Sequence, residues 1–158
     1  MRYEKRREEQ TIFLEAGFGT TDNPQKLKDA GFQVVCFAAD FPHEHKNNIS
    51  VTDPRIINHC YKKKYVLFTL DKSMRNTHVE VIKKTDVAII ATESCDKFSP
   101  AQWVAAFIGA KAVIKRRIKR FPRPWFAHLA IAGRIRKIET ITQDMITRRV
   151  RPIEQEEA

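Results

Sequence analysis

The chain has 158 residues, 42 % of them hydrophobic and 30 % charged, and 29 Lys and Arg against 19 Asp and Glu leave a formal charge of +10. That length suits one domain with an ordinary buried core, and the composition excludes a disordered or fibrous chain. No apolar run approaches the roughly 18 residues of a membrane span, and the charged stretch Met1–Arg7 has no apolar run behind it, unlike a secretory signal; the expected location is the cytoplasm.

Residues 1–10 read as a charged extension. A first strand follows at Thr11–Leu14 and closes on Glu15. After Gly17-Phe18-Gly19, Asp22 or Asn23 is placed to cap a short helix with Pro24 at its first position and Gly31 at its end. Gln33–Ala38 is the second strand, and Ala39–Thr52 a long polar loop containing Asp40-Phe41-Pro42-His43-Glu44-His45; loops of that length are functional or mobile. Asp53-Pro54 opens a second helix whose Ile56, Ile57 and Cys60 share a face. Tyr65–Leu70 is a third strand, ending in Asp71. Thr77-x-x-Glu80 has the form of a capping box for a third helix, and Val87–Thr92 is a fourth strand. Ser99-Pro100-Ala101-Gln102 is a second capping box, opening a long helix at 99–120 with Phe107, Ala110, Ile114, Ile118 and Phe121 as its apolar stripe. Trp125–Ile131 and Arg134–Ile141 flank Ala132-Gly133 as a late hairpin. Strands alternating with helices predict an α/β domain over 11–141, with a mostly parallel sheet covered on both faces and a late antiparallel hairpin. Residues 142–158 form a second charged extension.

Cys36, Cys60 and Cys95 are odd in number and widely spaced, which reads as reduced structural thiols rather than a disulfide or a thiolate zinc site. The carboxylates are more informative. Ligands of open α/β sheets bind at the carboxyl ends of strands, where Glu15 and Asp71 fall, and Asp53 opens a helix aimed at the same edge. Three acids gathered there repel one another unless a cation or proton intervenes. Each also has a plainer role: Glu15 as an exposed acid at a strand exit, Asp53 as a helix N-cap worth about 1 kcal/mol, and Asp71 as an acid held ionised by its basic neighbours. Thr69 is either a strand residue or a hydroxyl that orients a metal-bound water. Asp40, Glu44 and Glu93 are second-tier acids, and His43-x-His45 lacks a third ligand at a telling spacing. His59, His78 and His128 read as structural or solvated.

Among the bases, Lys72 and Arg75 follow Asp71 and are placed to contact phosphate oxygens. Lys111, Lys115, Arg116, Arg117, Lys119 and Arg120 crowd the end of the long helix. They form either a solvated face favoured by the helix dipole or a phosphate-contacting stripe in which Arg116 and Arg120 bind substrate. Arg123, Arg134, Arg136 and Lys137 extend the basic run, and Trp125 and Phe126 are candidates for base stacking or for the core. A carboxylate site without thiolates suits Mg2+ or Mn2+ rather than zinc.

The order of these pieces resembles the PIN-like domain family, which includes VapC-type toxins and stand-alone PIN-like nucleases. The resemblance is carried by Phe13-Leu14-Glu15, by Leu27 to Val35 with its Ala30-Gly31 turn, by Asp40-Phe41-Pro42-His43, by Thr52 to Ile57, and most of all by Val66-Leu67-Phe68-Thr69-Leu70-Asp71-Lys72. Pro122 to Ala127 is similar to the family's lead into its last strands. The resemblance implies a three-layer sandwich and a metal-dependent endoribonuclease in which Glu15, Asp53 and Asp71 hold Mg2+ or Mn2+. It also implies RNA as substrate and, for a toxin, an antitoxin protein covering the site; a homodimer is a further expected partner state. Two departures stand out: the family's first acid is usually aspartate, a methylene shorter than Glu15, and its fourth acid has only Glu93 as a counterpart. A PIN-like module that binds RNA or protein without cutting is therefore the alternative. A receiver-like signalling domain, with Thr92 ending its fourth strand, is a third reading; it wants a paired acid at strand one and an acidic balance.

Overall fold

A computed structural model describes residues 10–93, 97–120 and 123–140, with only the backbone described at 75–76 and 136–140. Both charged extensions, apart from Gln10, lie outside these residues, as do Cys95, Asp96, Phe121 and Pro122.

Six strands form one sheet: β1 (Ile12–Leu14), β2 (Val34–Cys36), β3 (Val66–Thr69), β4 (Ala88–Thr92), β5 (Trp125–Ala130) and β6 (Arg134–Thr140). Their order is β2-β1-β3-β4-β5-β6, all parallel except the β5–β6 hairpin. The expected mostly parallel sheet with a late antiparallel hairpin is what the chain forms. Eight helices are described: α1 (Asp22–Asp29), α2 (Phe37–Asp40), α3 (Pro42–Lys46), α4 (Asp53–Lys63), α5 (Met74–Thr77), α6 (Val79–Thr85), α7 (Pro100–Gly109) and α8 (Lys111–Arg120). A 3-10 turn at Ala16–Phe18 follows β1.

Side-chain alternation along the strands sorts the core into two layers. Ile12, Leu14, Val66, Phe68, Ala88 and Ile90 pack against Leu27 of α1, Trp103 and Phe107 of α7 and Ile114 of α8. Phe13, Leu67, Ile89 and Ala91 face the other way, onto Ile56, Ile57 and Cys60 of α4 and Ile82 of α6. Helices on both faces of the sheet make the three-layer sandwich. Trp125 and Phe126, weighed as base-stacking residues, are both buried in these layers. Arg123 is likewise taken inward. It donates to the Tyr65 carbonyl at 3.1 Å and to the Gln10 side chain, and burial lowers its pKa.

Several local expectations are corrected. Asp22 and Asn23 do not cap α1. Asp22 is its first residue, and the Asn23 amide donates instead to the Phe18 carbonyl at 2.9 Å, tying the helix start to the 3-10 turn. The second strand stops at Cys36, because Phe37 turns into α2 and buries against the α4 layer. The polar loop at 39–52 contains α3, begun by Pro42. Thr77 ends α5 rather than capping α6, and His78 takes the capping position without a side-chain cap bond. The Ser99–Gln102 capping box forms in full, but the long helix breaks at Ala110 (φ −93°, ψ 8°). Gly109 weakens the helix there, and the β5–β6 turn presses against it: a Cβ on Gly133 would lie 3.4 Å from the Gly109 Cα.

Candidate acidic site at the carboxyl edge

The strand order reverses between β1 and β3, since β2 lies on one side of β1 and β3 to β6 on the other. In parallel α/β sheets such a reversal opens a crevice at the carboxyl ends, the usual ligand position. The residues leaving β1 and β3 at that point are Glu15 and Leu70-Asp71.

Register and alternation bring the side chains together. β1 and β3 pair Leu14 with Phe68, which places Glu15 beside Thr69. Phe13 and Glu15 share a parity, as do Leu67 and Thr69, so both polar residues point to the face covered by α4. The Thr69 hydroxyl donates to Glu15 Oε2 at 2.6 Å, and the Leu70 N–H donates to Glu15 Oε1 at 2.8 Å. Thr69 Oγ1 in turn accepts the Asp71 N–H at 3.1 Å. Thr69 is thus fully buried and acts as the clamp between the two acids.

Asp71 is fixed from the other side, its Oδ1 accepting the Ser73 N–H at 2.9 Å and the Ser73 hydroxyl at 2.7 Å. Asp53 is the first residue of α4 rather than its cap, which is Thr52, so the N-cap role does not hold. Its Oδ2 lies 3.3 Å from His78 Nε2 at the head of α6. Burial raises the Glu15 pKa above its ordinary value of 4.5; the Thr69 and Leu70 hydrogen bonds pull against this, and the negative charges of Asp53 and Asp71 push it further up. The three acids are therefore near enough to feel one another, with Glu15 the innermost.

A crevice of about 320 Å³ adjoins two of them: its lining includes Glu15, Gly17, Phe37, Glu44, His45, Ile49 and Asp53, but not Asp71. Gly17 packs closely beside the acid, since a Cβ there would meet Leu70 Cδ1 at 3.0 Å and Glu15 Oε1 at 3.6 Å. Glu44 joins the crevice, and its Oε2 is buried without a hydrogen-bond partner, 3.9 Å from Arg55 Nη2. Glu93 stands at the end of β4, one strand further from the reversal, where its N–H donates to the Leu129 carbonyl. Asp40 is engaged elsewhere, 2.7 Å from His59 Nε2 within an aromatic cluster of Phe13, Phe41 and Tyr65. His43 bonds with Asn47, whereas His45 reaches the crevice rim.

Lys72 is exposed directly after Asp71; the Arg75 side chain lies outside the described residues. Arg116 and Arg120 do not share this crevice. α8 runs back to the amino edge, where the Lys115 ammonium donates to the Gly31 carbonyl at 2.9 Å, just ahead of β2. Cys36 and Cys60 are free thiols, and burial pushes that of Cys60 up.

Two residues play parts here that the sequence did not assign: His78, read as structural or solvated, contacts Asp53, and Thr69, read as a strand residue or a water-orienting hydroxyl, bonds Glu15 instead. Among the described residues no three His, Cys, Asp or Glu side chains converge closely enough to cage an ion unaided. No helix among them is long and apolar enough to cross a membrane. Compared with family models, characterised proteins and solved structures, the chain matches none.

Proposed function

We propose that the protein is a metal-dependent endoribonuclease of PIN-like type, with Glu15, Asp53 and Asp71 as its catalytic acids. The observation that carries this reading is the placement of Glu15 at the reversal point of the sheet, desolvated and repelled by both other acids. An ionised carboxylate in that position has no cationic partner among the described residues, and a hard cation with oxygen ligands would supply a countercharge. The donor set fits Mg2+ or Mn2+. Magnesium is held by one or two carboxylates and keeps several waters, so it needs no closed protein cage. Glu15, Asp53 and Asp71 would hold such an ion, which would supply Lewis-acid activation of a water and charge neutralisation at the phosphate.

The chain's own residues divide the remaining work. Thr69 and the Leu70 amide hold the Glu15 carboxylate in one orientation, and Ser73 does the same for Asp71, leaving Asp71 Oδ2 unengaged by these bonds. His78 steadies Asp53. Lys72, exposed beside Asp71, is placed to meet a phosphate oxygen. This reading carries with it RNA as substrate, a cytoplasmic location, an antitoxin-type protein over the acidic edge and a homodimeric state.

A second reading has one specific support. Both Glu15 oxygens are already hydrogen-bonded within the protein, which suits a catalytically weak or inactive module that binds RNA or a protein partner. The receiver-like reading shares the strand order. It is disfavoured because the Thr92 hydroxyl is given to the Leu70 carbonyl at 3.1 Å and β5 runs straight into a hairpin.

The test is cleavage of labelled RNA in manganese, magnesium or EDTA, beside Asp71→Asn. Asparagine keeps an Oδ1 for the Ser73 bonds and removes only the charge. Metal-dependent cutting that is lost in the variant supports the nuclease. RNA binding without cutting in either metal selects the binding module.

A further inference from the structure

The acidic crevice cannot by itself draw in a polyanion, yet the chain carries a formal charge of +10. Among the described residues the topology gathers part of that charge in one place. Every helix that leads into a parallel strand ends at the amino edge of the sheet, opposite Glu15 and Asp71. Four of these ends carry cations in their last turn: Lys26 and Lys28 in α1, Lys62 and Lys63 in α4, Lys83 and Lys84 in α6, and Arg117, Lys119 and Arg120 in α8.

We propose that this amino-edge face is a separate anchoring surface for single-stranded RNA, used for backbone binding and not for chemistry. Lys28, Lys63, Lys84, Arg116 and Arg120 are all exposed there, and among the residues whose side chains are described Asp29 and Asp86 are the acids close to them. The helix dipole favours a cation at each end taken singly. Two such ends lie in each outer layer, α1 and α8 on one side of the sheet and α4 and α6 on the other, so their cations rim the amino edge from both sides, about 15 Å from the acids, the length of a four- or five-residue strand. Exposed Tyr61 sits within this face, with the Lys64 ammonium 5.7 Å from its ring centroid. An aromatic ring among phosphate-binding cations is the combination that holds single strands, by stacking a base while the backbone is neutralised. An anionic membrane is the less suitable partner, since among the described residues Tyr61 is the one large exposed apolar side chain on this face; Ile49 and Ile131 are elsewhere.

The inference takes RNA as ligand from the proposed function but does not depend on the RNA being cut. It is tested by binding of a fluorescent single-stranded RNA in EDTA over a salt series, for the full chain and for two paired variants, Lys63→Gln with Lys84→Gln and Arg116→Gln with Arg120→Gln. Single strands contribute a slope of about 0.7 per neutralised phosphate, so each pair should lower the log–log salt slope by about 1.4, and the two combined should weaken binding at least tenfold near 0.1 M salt. Tyr61→Ala should weaken binding while leaving the slope unchanged. Unaltered slopes in both folded pairs, or binding to phosphatidylserine vesicles in place of RNA, overturns the proposal. Failure of the nuclease reading appears instead as absent metal-dependent cleavage with these slopes intact.

Discussion

Replacing Thr69 by valine removes the clamp of the site while keeping the shape of the side chain. The wild-type hydroxyl is fully buried and donates to a carboxylate at 2.6 Å. A hydrogen bond to a charged group contributes about 1.5–3 kcal/mol, and the extra buried methyl returns about 0.8 kcal/mol. The amide of Asp71, which also loses its acceptor, is only partly buried, so water takes over. The expected cost is about 1–2 kcal/mol at pH 8. Its pH dependence is the sharper test. Burial raises the folded-state pKa of Glu15, so the stability linked to its proton is fully present below 4.5 and is lost as pH rises through the folded value. The Thr69 bond favours the ionised form, and without it the folded pKa rises further. At pH 4, with Glu15 protonated in both proteins, the hydroxyl makes only a neutral hydrogen bond and the cost falls to about 0–0.5 kcal/mol. Urea unfolding at both pH values measures this, provided the slope m is unchanged. A cost equal at pH 4 and pH 8, or below about 0.5 kcal/mol at pH 8, refutes the clamp.

Other perturbations separate the roles of the remaining residues. Glu15→Gln removes a desolvated, repelled charge; it is expected to match or exceed wild-type stability at neutral pH, an advantage that shrinks toward acid in thermal melts, and on the nuclease reading to abolish metal-dependent cleavage. His78→Leu breaks a partly exposed contact with Asp53, so stability should stay within about 0.5 kcal/mol, while on the nuclease reading cleavage rates fall about tenfold or more through loss of orientation. Gly133→Ala places a Cβ at φ +76° and 3.2 Å from the Ala106 carbonyl. It should cost about 1–2 kcal/mol in urea unfolding, with cleavage unaffected at saturating stability.

The layer structure was legible before any coordinates. Strands such as Val66–Thr69 are apolar on both faces and are separated by amphipathic helices, and such runs are stable only inside a covered parallel sheet. The sequence also placed Glu15 and Asp71 at strand ends, because an acid cannot continue a fully buried strand. Local chemistry that completes itself within a few residues was legible too: the Ser99–Gln102 capping box closes on its own backbone. What the tertiary structure alone decided was everything that depends on neighbours distant in the chain. Only the β1–β3 register, joining residues 54 apart, sets Thr69 against Glu15. Only the packing of α4 beside α6 turns Asp53 from a cap into a partner of His78 and gives Glu44 a place in the crevice. The strand order sends α8 to the opposite edge and removes Arg116 and Arg120 from the acids, since a helix following a parallel strand must return its far end to the start of the next.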